Sequence, residues 1–516
     1  MSFQSILFEN PADRIETQHA DAPPFFRDLN LDQIVDAIAA AWPEFDLKPF
    51  FYVPLSRIEA IKYRHEVMQD LENPTLFEQV KGFARNMRTV REHLAQAEKL
   101  YYERQKQAWL LETVGIYCDA IIRFANDLVS VGLKSRGLLA FREYVTNYAA
   151  SARFTSLVEE TKTLKANLAA VRYCVVLKGN AIKVRKYESE IDYSTDVEET
   201  FEKFKHGAVK DYKAKYSTNP DMNHPDMNHI EAKILDFVAQ LHPEVFSDLE
   251  RYCAASVRFL DEAIAVFDRE VHFYIAYLEH IAKLQRAGLL FCYPQILSKS
   301  KEVYDYEGFD LALAHVLITE NKSIVCNDFY LKNKERVIVV TGPNQGGKTT
   351  FARTFGQLHY LASIGCPVPG REAQLFLFDR LFTHFEKEER IDNPRGKLQD
   401  DLVRIRSILK EATSSSIIIM NEVFTSTTLQ DAIFLSRRVM ETLVRWDLLC
   451  VWVTFIDELA SASEQTASMV STIVPENPTL RTFKVVRRPA DGLSYAMSIA
   501  AKYRLTYDCL KERVKS

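Results

Sequence analysis

The sequence lacks two features that often define a class of protein, paired cysteines and long apolar runs. Its eight cysteines are scattered without a C-x-x-C pair, which indicates neither a disulfide framework nor a zinc ribbon and fits a reducing cytoplasm. No uncharged apolar run reaches the ~18–20 residues of a membrane-spanning helix, and the first residues lack the basic start and apolar core of a secretion signal. The sequence therefore predicts a soluble cytoplasmic protein without a membrane partner.

Glycine, proline and excess positive charge are also scarce. The 16 Gly and 18 Pro among 516 residues are too few for a fibrous or disordered chain. Lys and Arg number 65 against 70 Asp and Glu, a net charge of −5, so any nucleic-acid surface must be a local patch. At about 100–200 residues per domain, the length predicts roughly two to four domains.

The first 300 residues divide into an irregular start and a helical region. Residues 1–50, with proline joints at Pro23-Pro24 and Trp42-Pro43, are predicted to be an N-terminal extension. Residues 51–297 are predicted to form a helical domain, because apolar residues recur there at spacings of three and four. The clearest stripe consists of Phe83, Met87, Val90, Leu94, Ala97 and Tyr101. A second periodic stretch runs from Ile230 to Leu289.

Between the two helical stretches, residues 172–229 are predicted to be a small insert containing strands. Tyr173 to Lys186 contains two short strands around a Gly179-Asn180 turn. The segment 204–216 alternates lysines with aromatics, which indicates either nucleic-acid contact or, as we favour, a solvated surface. His224 and His229 lie in a short repeat that is either a metal-binding element or, more simply, two turns.

From residue 298 to 516, apolar β-branched runs alternate with helical stretches, which predicts a mainly parallel sheet and a fold of mixed α and α/β class. The run Val337 to Thr341 reads as a buried strand and leads into GPNQGGKTT and then a helix, matching G-x-x-x-x-G-K-[ST] in strand–loop–helix context. This motif predicts a P-loop NTPase domain that binds ATP or GTP.

The chemistry explains each residue type in the loop. Glycines let backbone N–H groups turn toward phosphates at a helix N-terminus, the lysine reaches the β and γ phosphates, and the hydroxyl after it binds Mg²⁺. We assign a catalytic role to Lys348 and a metal-binding role to Thr349. The predicted nucleotide-binding residues are Gly342, Pro343, Asn344, Gln345, Gly346, Gly347, Lys348, Thr349 and Thr350.

A second apolar strand, Ile417 to Met420, ends at Asn421-Glu422. Ligand chemistry in such sheets lies at the carboxyl ends of the strands. Glu422 is therefore the predicted catalytic base that orients or deprotonates the attacking water. Asn421 is a predicted metal residue, but it lacks the negative charge of the more usual Asp, so we expect weaker binding of Mg²⁺.

At these residues the sequence resembles the MutS family of DNA mismatch-repair ATPases. GPNQGGKTTFAR, from Gly342, is similar to the family's GPNMGGKSTYMR, and IGCPVP, from Ile364, is similar to IGSYVPA. FDRLFT, from Phe378, resembles FDRIFTR, and the stretch from Asn421 to Asp431 resembles DEIGRGTSTYDG. Residues 324–328 are similar to the segment that contributes to the family's adenine pocket. The likeness is strong over about 320–505 and weaker over the helical region.

The resemblance implies ATP and Mg²⁺ as cofactors, a homodimer, and a lever domain with a clamp-like insert that contacts DNA. It also implies that a signature segment of one subunit completes the nucleotide site of the other. Here that segment precedes a helix predicted at Leu398 to Lys410, and Arg395 or Lys397 would be its charged group. The alternative is that the segment is an ordinary loop before the helix. Phe455 stands where the family's switch histidine would be, and a phenyl ring cannot hydrogen-bond to phosphate or water. Only about 50 residues precede the helical region, so we expect no direct reading of mismatches.

Two functional hypotheses follow. In the first, the protein is a slow ATPase that couples ATP turnover to DNA binding in repair or recombination. In the second, it is a nucleotide-gated switch that recruits a protein partner with little or no hydrolysis, as the residues at 421 and 455 favour. A DNA-bridging device of the SMC type is a weaker alternative, because at ~1.5 Å per residue the helices are too short for extended coiled coils.

Overall fold

The computed structural model describes residues 3–10, 20–179, 181–189, 227–386, 396–474, 477–490, 505–507 and 510–511. The chain divides into two compact units. The helical unit comprises Met1–Phe3, Pro74–Leu133 and Ala140–Asp268, and the sheet unit comprises Gln4–Asn73, Lys134–Leu139 and Arg269–Ser516. In the described part of the chain, no helix combines the length and hydropathy that a membrane crossing requires.

The α-helices are numbered here in chain order. They are α1 (Leu31–Ala39), α2 (Lys48–Tyr52), α3 (Ile58–Leu71), α4 (Pro74–Lys99), α5 (Glu103–Ser130), α6 (Arg136–Ala149), α7 (Ala152–Ala169), α8 (His229–Leu241), α9 (Pro243–Ala255), α10 (Glu262–Arg286), α11 (Leu311–Thr319), α12 (Lys348–Ser363), α13 (Lys397–Glu411) and α14 (Leu429–Arg445). Short 3₁₀ turns lie at Pro43–Phe45 and Asp457–Ser461.

The strands are numbered in the same way. They are β1 (Tyr173–Lys178), β2 (Ala181–Lys186), β3 (Phe291–Cys292), β4 (Gln295–Leu297), β5 (Tyr304–Gly308), β6 (Asn327–Tyr330), β7 (Val337–Thr341), β8 (Val368–Pro369), β9 (Glu372–Phe376), β10 (Leu381–His384), β11 (Ile417–Asn421), β12 (Leu449–Val453), β13 (Thr466–Val474) and β14 (Asn477–Arg487).

The helical unit is built on the long helices α4 and α5, whose apolar faces pack together. Phe83 of α4 stacks on Phe124 of α5 with 4.3 Å between ring centroids, and such pairs add to the free energy gained by burying the rings. The predicted apolar stripe is buried as far as Val90. The prediction was wrong for Tyr101, which is 83% exposed because α4 ends at Lys99.

The helical unit contains a β-hairpin, and the two strands predicted from the sequence are confirmed. Strands β1 and β2 pair antiparallel from Tyr173 opposite Lys186 to Lys178 opposite Ala181, and Gly179 takes the turn with φ 63°. His229 opens α8, whose cap is the Asn228 side chain. The lysine-rich segment 204–216 and His224 lie outside the described residues, within which no group of three or more His, Cys, Asp or Glu side chains is placed to hold a metal.

The sheet unit contains a six-stranded sheet in the order β10-β11-β12-β7-β13-β14. Neighbouring strands are parallel except for β14, which runs antiparallel at the edge. Every residue of β7, β11 and β12 is buried, as the apolar β-branched runs require of a sheet covered on both faces. The predicted fold of mixed α and α/β class with a mainly parallel sheet is thus confirmed.

The unit boundaries differ from the predicted domain boundaries, above all at the N-terminus. Residues 4–73 belong to the sheet unit, although residues 1–50 were expected to be a separate extension. Three side chains of α12 hold them: Gln357 Nε2 donates to the carbonyl of Leu29 over 2.8 Å, and Arg353 and Tyr360 donate to the carbonyls of Asp28 and Phe51. The backbone at Asp28, Leu29 and Phe51 is therefore held by α12.

Candidate functional site

The loop Gly342–Gly347 connects the end of β7 to the start of α12 and is shaped by residues with positive φ. These are Gly342 at 112°, Gln345 at 59° and Gly347 at 90°. A Cβ atom on Gly342 would lie 2.7 Å from the Ser471 hydroxyl oxygen of β13. Only glycine combines this dihedral with this close approach, so the backbone conformation of the loop depends on the residue type that the motif requires.

Lys348 is the first residue of α12, and its ammonium group is buried against the loop. Its Nζ donates to the carbonyls of Gly342 and Pro343 over 2.9 and 3.1 Å and to Asn344 Oδ1 over 3.2 Å. Burial lowers the pKa of Lys348, and the nearby negative charge of Glu422 opposes this effect. A buried ammonium whose acceptors are neutral loop oxygens gains energy if anionic oxygens replace them.

Thr349 and Asn421 meet at the carboxyl edge of the sheet. The Thr349 hydroxyl donates to Asn421 Oδ1 over 2.8 Å. Asn421 is the last residue of β11, which is separated from β7 only by β12. The predicted metal residues are therefore adjacent, and they present a hydroxyl and an amide oxygen, both of which are ligand types for Mg²⁺.

Glu422 follows directly and is half-buried. Its backbone is left-handed, with φ 52°, and its N–H donates to the carbonyl of Val453 at the end of β12 over 2.9 Å. The structure thus places the predicted base at the same edge of the sheet as the loop. The polar residues that follow cap a helix: the Thr428 hydroxyl accepts from the Asp431 N–H at the start of α14.

Phe455 lies just beyond β12 and is 50% exposed. The preceding residue, Thr454, fixes this segment to the loop strand, since its N–H donates to the carbonyl of Val340 over 3.0 Å. Phe455 therefore follows the carboxyl end of a strand that lies between those of the loop and of Glu422.

The helix predicted at Leu398 to Lys410 is confirmed as α13, Lys397–Glu411. Of the two charged residues proposed for the trans contact, Lys397 forms an ion pair with Glu386, and Arg395 lies outside the described residues.

Strand β14 also lies beside the loop, a contact that the sequence motifs did not predict. Arg481 Nε donates to the carbonyl of Asn344 over 3.1 Å. The Asn327 side chain donates to the carbonyl of Phe483 over 3.2 Å and accepts from the Val485 N–H over 2.7 Å. Asn327 was indicated by the family resemblance, but Arg481 carries no local signal, because it is brought to the loop only by strand pairing.

Comparison with known proteins agrees with this geometry. The family model of MutS domain V matches residues 338–513. Residues 338–513 of the chain belong to the MutS domain V family. The domain V match begins inside β7 and includes the loop, α12, Asn421 and Glu422, so the family assignment and the site rest on the same segment.

Individual relatives match over a similar region. The DNA mismatch repair protein MutS of Thermotoga maritima is 27% identical over 228 residues, 43% of this chain and 29% of that protein. MutS of Solibacter usitatus is 28% identical over 277 residues, 52% of this chain and 31% of that protein. Endonuclease MutS2 of Gemmatimonas aurantiaca is 29% identical over 196 residues, 37% of this chain and 23% of that protein. The matches span less than a third of the length of each of these relatives.

Proposed function

We propose that this chain is a slow, Mg²⁺-dependent ATPase that acts as a homodimer and couples ATP turnover to DNA binding in repair or recombination. The observation that carries the proposal is the position of the Lys348 ammonium, enclosed by a glycine-shaped loop at the N-terminus of α12. Backbone N–H groups and the helix dipole at such a terminus favour phosphate.

The residues at the site fit a nucleotide and a metal ion. Gly342 to Thr350 would hold the phosphates, with Lys348 exchanging its loop acceptors for phosphate oxygens. Thr349 and Asn421 would hold Mg²⁺, directly or through water, and the ion would supply positive charge to the transferred phosphoryl group. Because Asn421 is neutral, the site binds the ion less strongly than one containing a carboxylate.

Glu422 is the residue proposed to act on water. It lies at the same sheet edge as Lys348 and influences the pKa of that lysine. A carboxylate at this place orients the attacking water or accepts its proton. Lys348 positions the phosphates and offsets negative charge as it develops, which is the main contribution a protein makes to phosphoryl transfer.

Calorimetry and turnover assays together test the proposal. Titration with magnesium and a non-hydrolysable ATP analogue should give a heat of binding that Lys348→Ala abolishes and the exposed control Lys334→Ala retains. Phosphate release should be lost in Lys348→Ala and in Glu422→Gln, with binding preserved in the latter. Wild-type protein that gives no heat of binding, or variants with undiminished turnover, would contradict the assignment.

The DNA part of the proposal is supported by the charge of the β1–β2 hairpin. Residues opposite each other in an antiparallel pair share a face, so the observed register places Lys178, Lys183 and Arg185 on one face. No acidic residue lies in either strand. A basic face on an exposed hairpin is suited to phosphate contacts with a nucleic-acid backbone.

A second function, a nucleotide-gated switch with little hydrolysis, is favoured by a different observation. Asn421 supplies no charge to the metal site, and the exposed Phe455 offers no hydrogen bond at the sheet edge. Under this second function, ATP binding changes the oligomeric state or recruits a protein partner, and ATP is not hydrolysed. Comparing nucleotide affinity with steady-state phosphate release on the same protein discriminates between the two functions.

A further inference from the structure

The turn that carries Glu422 contains two residues in the left-handed region, Glu422 at φ 52° and Phe424 at φ 63°. A non-glycine residue in this region is strained and persists only where its surroundings restrain it. The similar MutS motif, DEIGRGTSTYDG, has glycine at the place of Phe424, and glycine adopts this conformation without strain. In this chain, therefore, something else must hold the turn.

The restraint comes from Asp401 in the second turn of α13. Asp401 Oδ2 accepts a hydrogen bond from the Phe424 backbone N–H over 3.3 Å. Its other oxygen, Oδ1, lies 3.3 Å from His384 Nε2 at the end of β10. Asp401, His384 and Phe424 are all buried, so water does not compete for these contacts.

The charge state of the pair agrees with a fixed, buried contact. Burial lowers the pKa of His384 to about 4 and raises the pKa of Asp401, so the imidazole is neutral near pH 7. A buried acceptor that serves a backbone N–H cannot be lost without leaving that donor unsatisfied, which is costly.

We propose that Asp401 is a positioning residue for Glu422, acting through the Phe424 amide to hold the turn in the geometry needed for hydrolysis. The inference rests on the proposed ATPase function. It also gives α13 a role beyond packing, because any movement of that helix would be transmitted to the turn through Asp401.

Three substitutions at Asp401 distinguish the effect of losing the hydrogen-bond acceptor from the effect of changing the shape of the side chain. Asp401→Ala removes both, and Asp401→Leu keeps the branched shape without an acceptor, as a second variant should the alanine protein fail to fold. Asp401→Asn keeps an amide oxygen for the Phe424 N–H. Glu411→Ala, at the exposed end of the same helix, is the control for removing a carboxylate from α13.

The expected result is a loss of kcat by about tenfold or more in the alanine and leucine variants, the value of one hydrogen bond of this kind. The KM for ATP should stay within about threefold, because the loop is untouched. Asparagine should recover most of the rate, and Glu411→Ala should match wild type. A folded alanine or leucine variant with wild-type kcat, or an asparagine variant as impaired as alanine, would overturn the inference.

Hydrogen–deuterium exchange provides a readout that does not depend on hydrolysis. Peptides covering 422–426 should exchange faster in Asp401→Ala and Asp401→Leu, but not in Asp401→Asn or Glu411→Ala. Unchanged exchange in the first two variants would refute the role of Asp401. If wild-type protein shows no turnover at all, the ATPase proposal fails, and the exchange result still decides whether Asp401 holds the turn.

Discussion

The Thr349 hydroxyl donates a hydrogen bond to Asn421 Oδ1 over 2.8 Å, joining the first turn of α12 to the end of β11, directly before the proposed base Glu422. Both partners are neutral. In a site where a carboxylate would contribute charge as well as an oxygen ligand, this pair contributes only oxygens. The affinity of the proposed site for Mg²⁺ therefore depends on neutral ligands.

Asn421→Asp should strengthen the binding of Mg²⁺. A carboxylate places a negative charge beside the cation where the amide has only a dipole, so we expect the Mg²⁺ concentration for half-maximal ATP binding to fall about tenfold. Mg²⁺ titrations monitored by nucleotide binding check this. Asn333→Asp, on an exposed turn of the same unit, should change nothing, and an unchanged Mg²⁺ requirement in the Asn421 variant would remove Asn421 from the metal site.

Phe455→His should raise turnover without changing nucleotide affinity. An imidazole at this sheet edge can hydrogen-bond to phosphate or water, which the phenyl ring cannot. A side chain that hydrogen-bonds to the attacking water contributes to the rate of hydrolysis rather than to nucleotide binding. We expect kcat to increase at least about threefold. Because Phe455 is half exposed, the substitution should leave the melting temperature close to that of wild type. A variant with wild-type kcat would show that position 455 takes no part in hydrolysis.

Charge reversal on the hairpin should weaken DNA binding in a salt-dependent way. For Lys178→Glu/Lys183→Glu, the slope of log affinity against log salt should fall by about 2, one for each lost phosphate contact. ATP turnover in the absence of DNA should be unaffected. Filter binding with duplex, branched and single-stranded DNA checks the slope, and Lys299→Glu/Lys334→Glu on the sheet unit is the matched control. Equal slopes for the two double variants would exclude the hairpin as a DNA contact.

Acid should destabilise the sheet unit through its buried histidines. Burial lowers the pKa of His65, His280, His359 and His384 from 6.5 to about 4. Between these values the unfolded chain binds more protons than the folded one, so stability is lost as pH falls from about 6.5 toward 4. Each histidine contributes up to about 1.4 kcal/mol per pH unit.

His65→Phe isolates one such contribution, because phenylalanine does not titrate. The His65 ring makes an edge contact with the Tyr293 ring, with 5.1 Å between centroids, and a phenyl ring can keep that contact. Urea denaturation at several pH values between 4 and 7 should give a shallower pH dependence for the variant, by close to one proton. Parallel curves for variant and wild type would mean that His65 is protonated in the folded protein as readily as in the unfolded chain.

Local sequence patterns predicted the elements whose interactions are themselves local. The phosphate loop, the strand before it and the helix after it lie within about 30 residues of one another, and the hairpin at Tyr173 to Lys186 pairs with itself. Tyr101 shows the limit of such patterns, because periodicity alone did not reveal where α4 ends.

Two of the contacts that sequence analysis missed join residues far apart in the chain. Asp28 and Leu29 accept hydrogen bonds from α12 across more than 300 positions, and Arg481 reaches Asn344 across 137. Asp401 is separated from Phe424 by only 23 residues, but no motif marks it, since its function depends on the left-handed backbone of a residue in another element.

The sequence alone determined that a glycine-rich loop connects a strand to a helix, because its glycines permit the positive φ angles of that loop. The same motif predicts that the loop binds phosphate. Only the tertiary structure decided how the loop is supported, which side chains border it and what holds Glu422 in place. These are properties of strand order and helix packing, where burial and long-range hydrogen bonds bring together residues that the chain keeps apart.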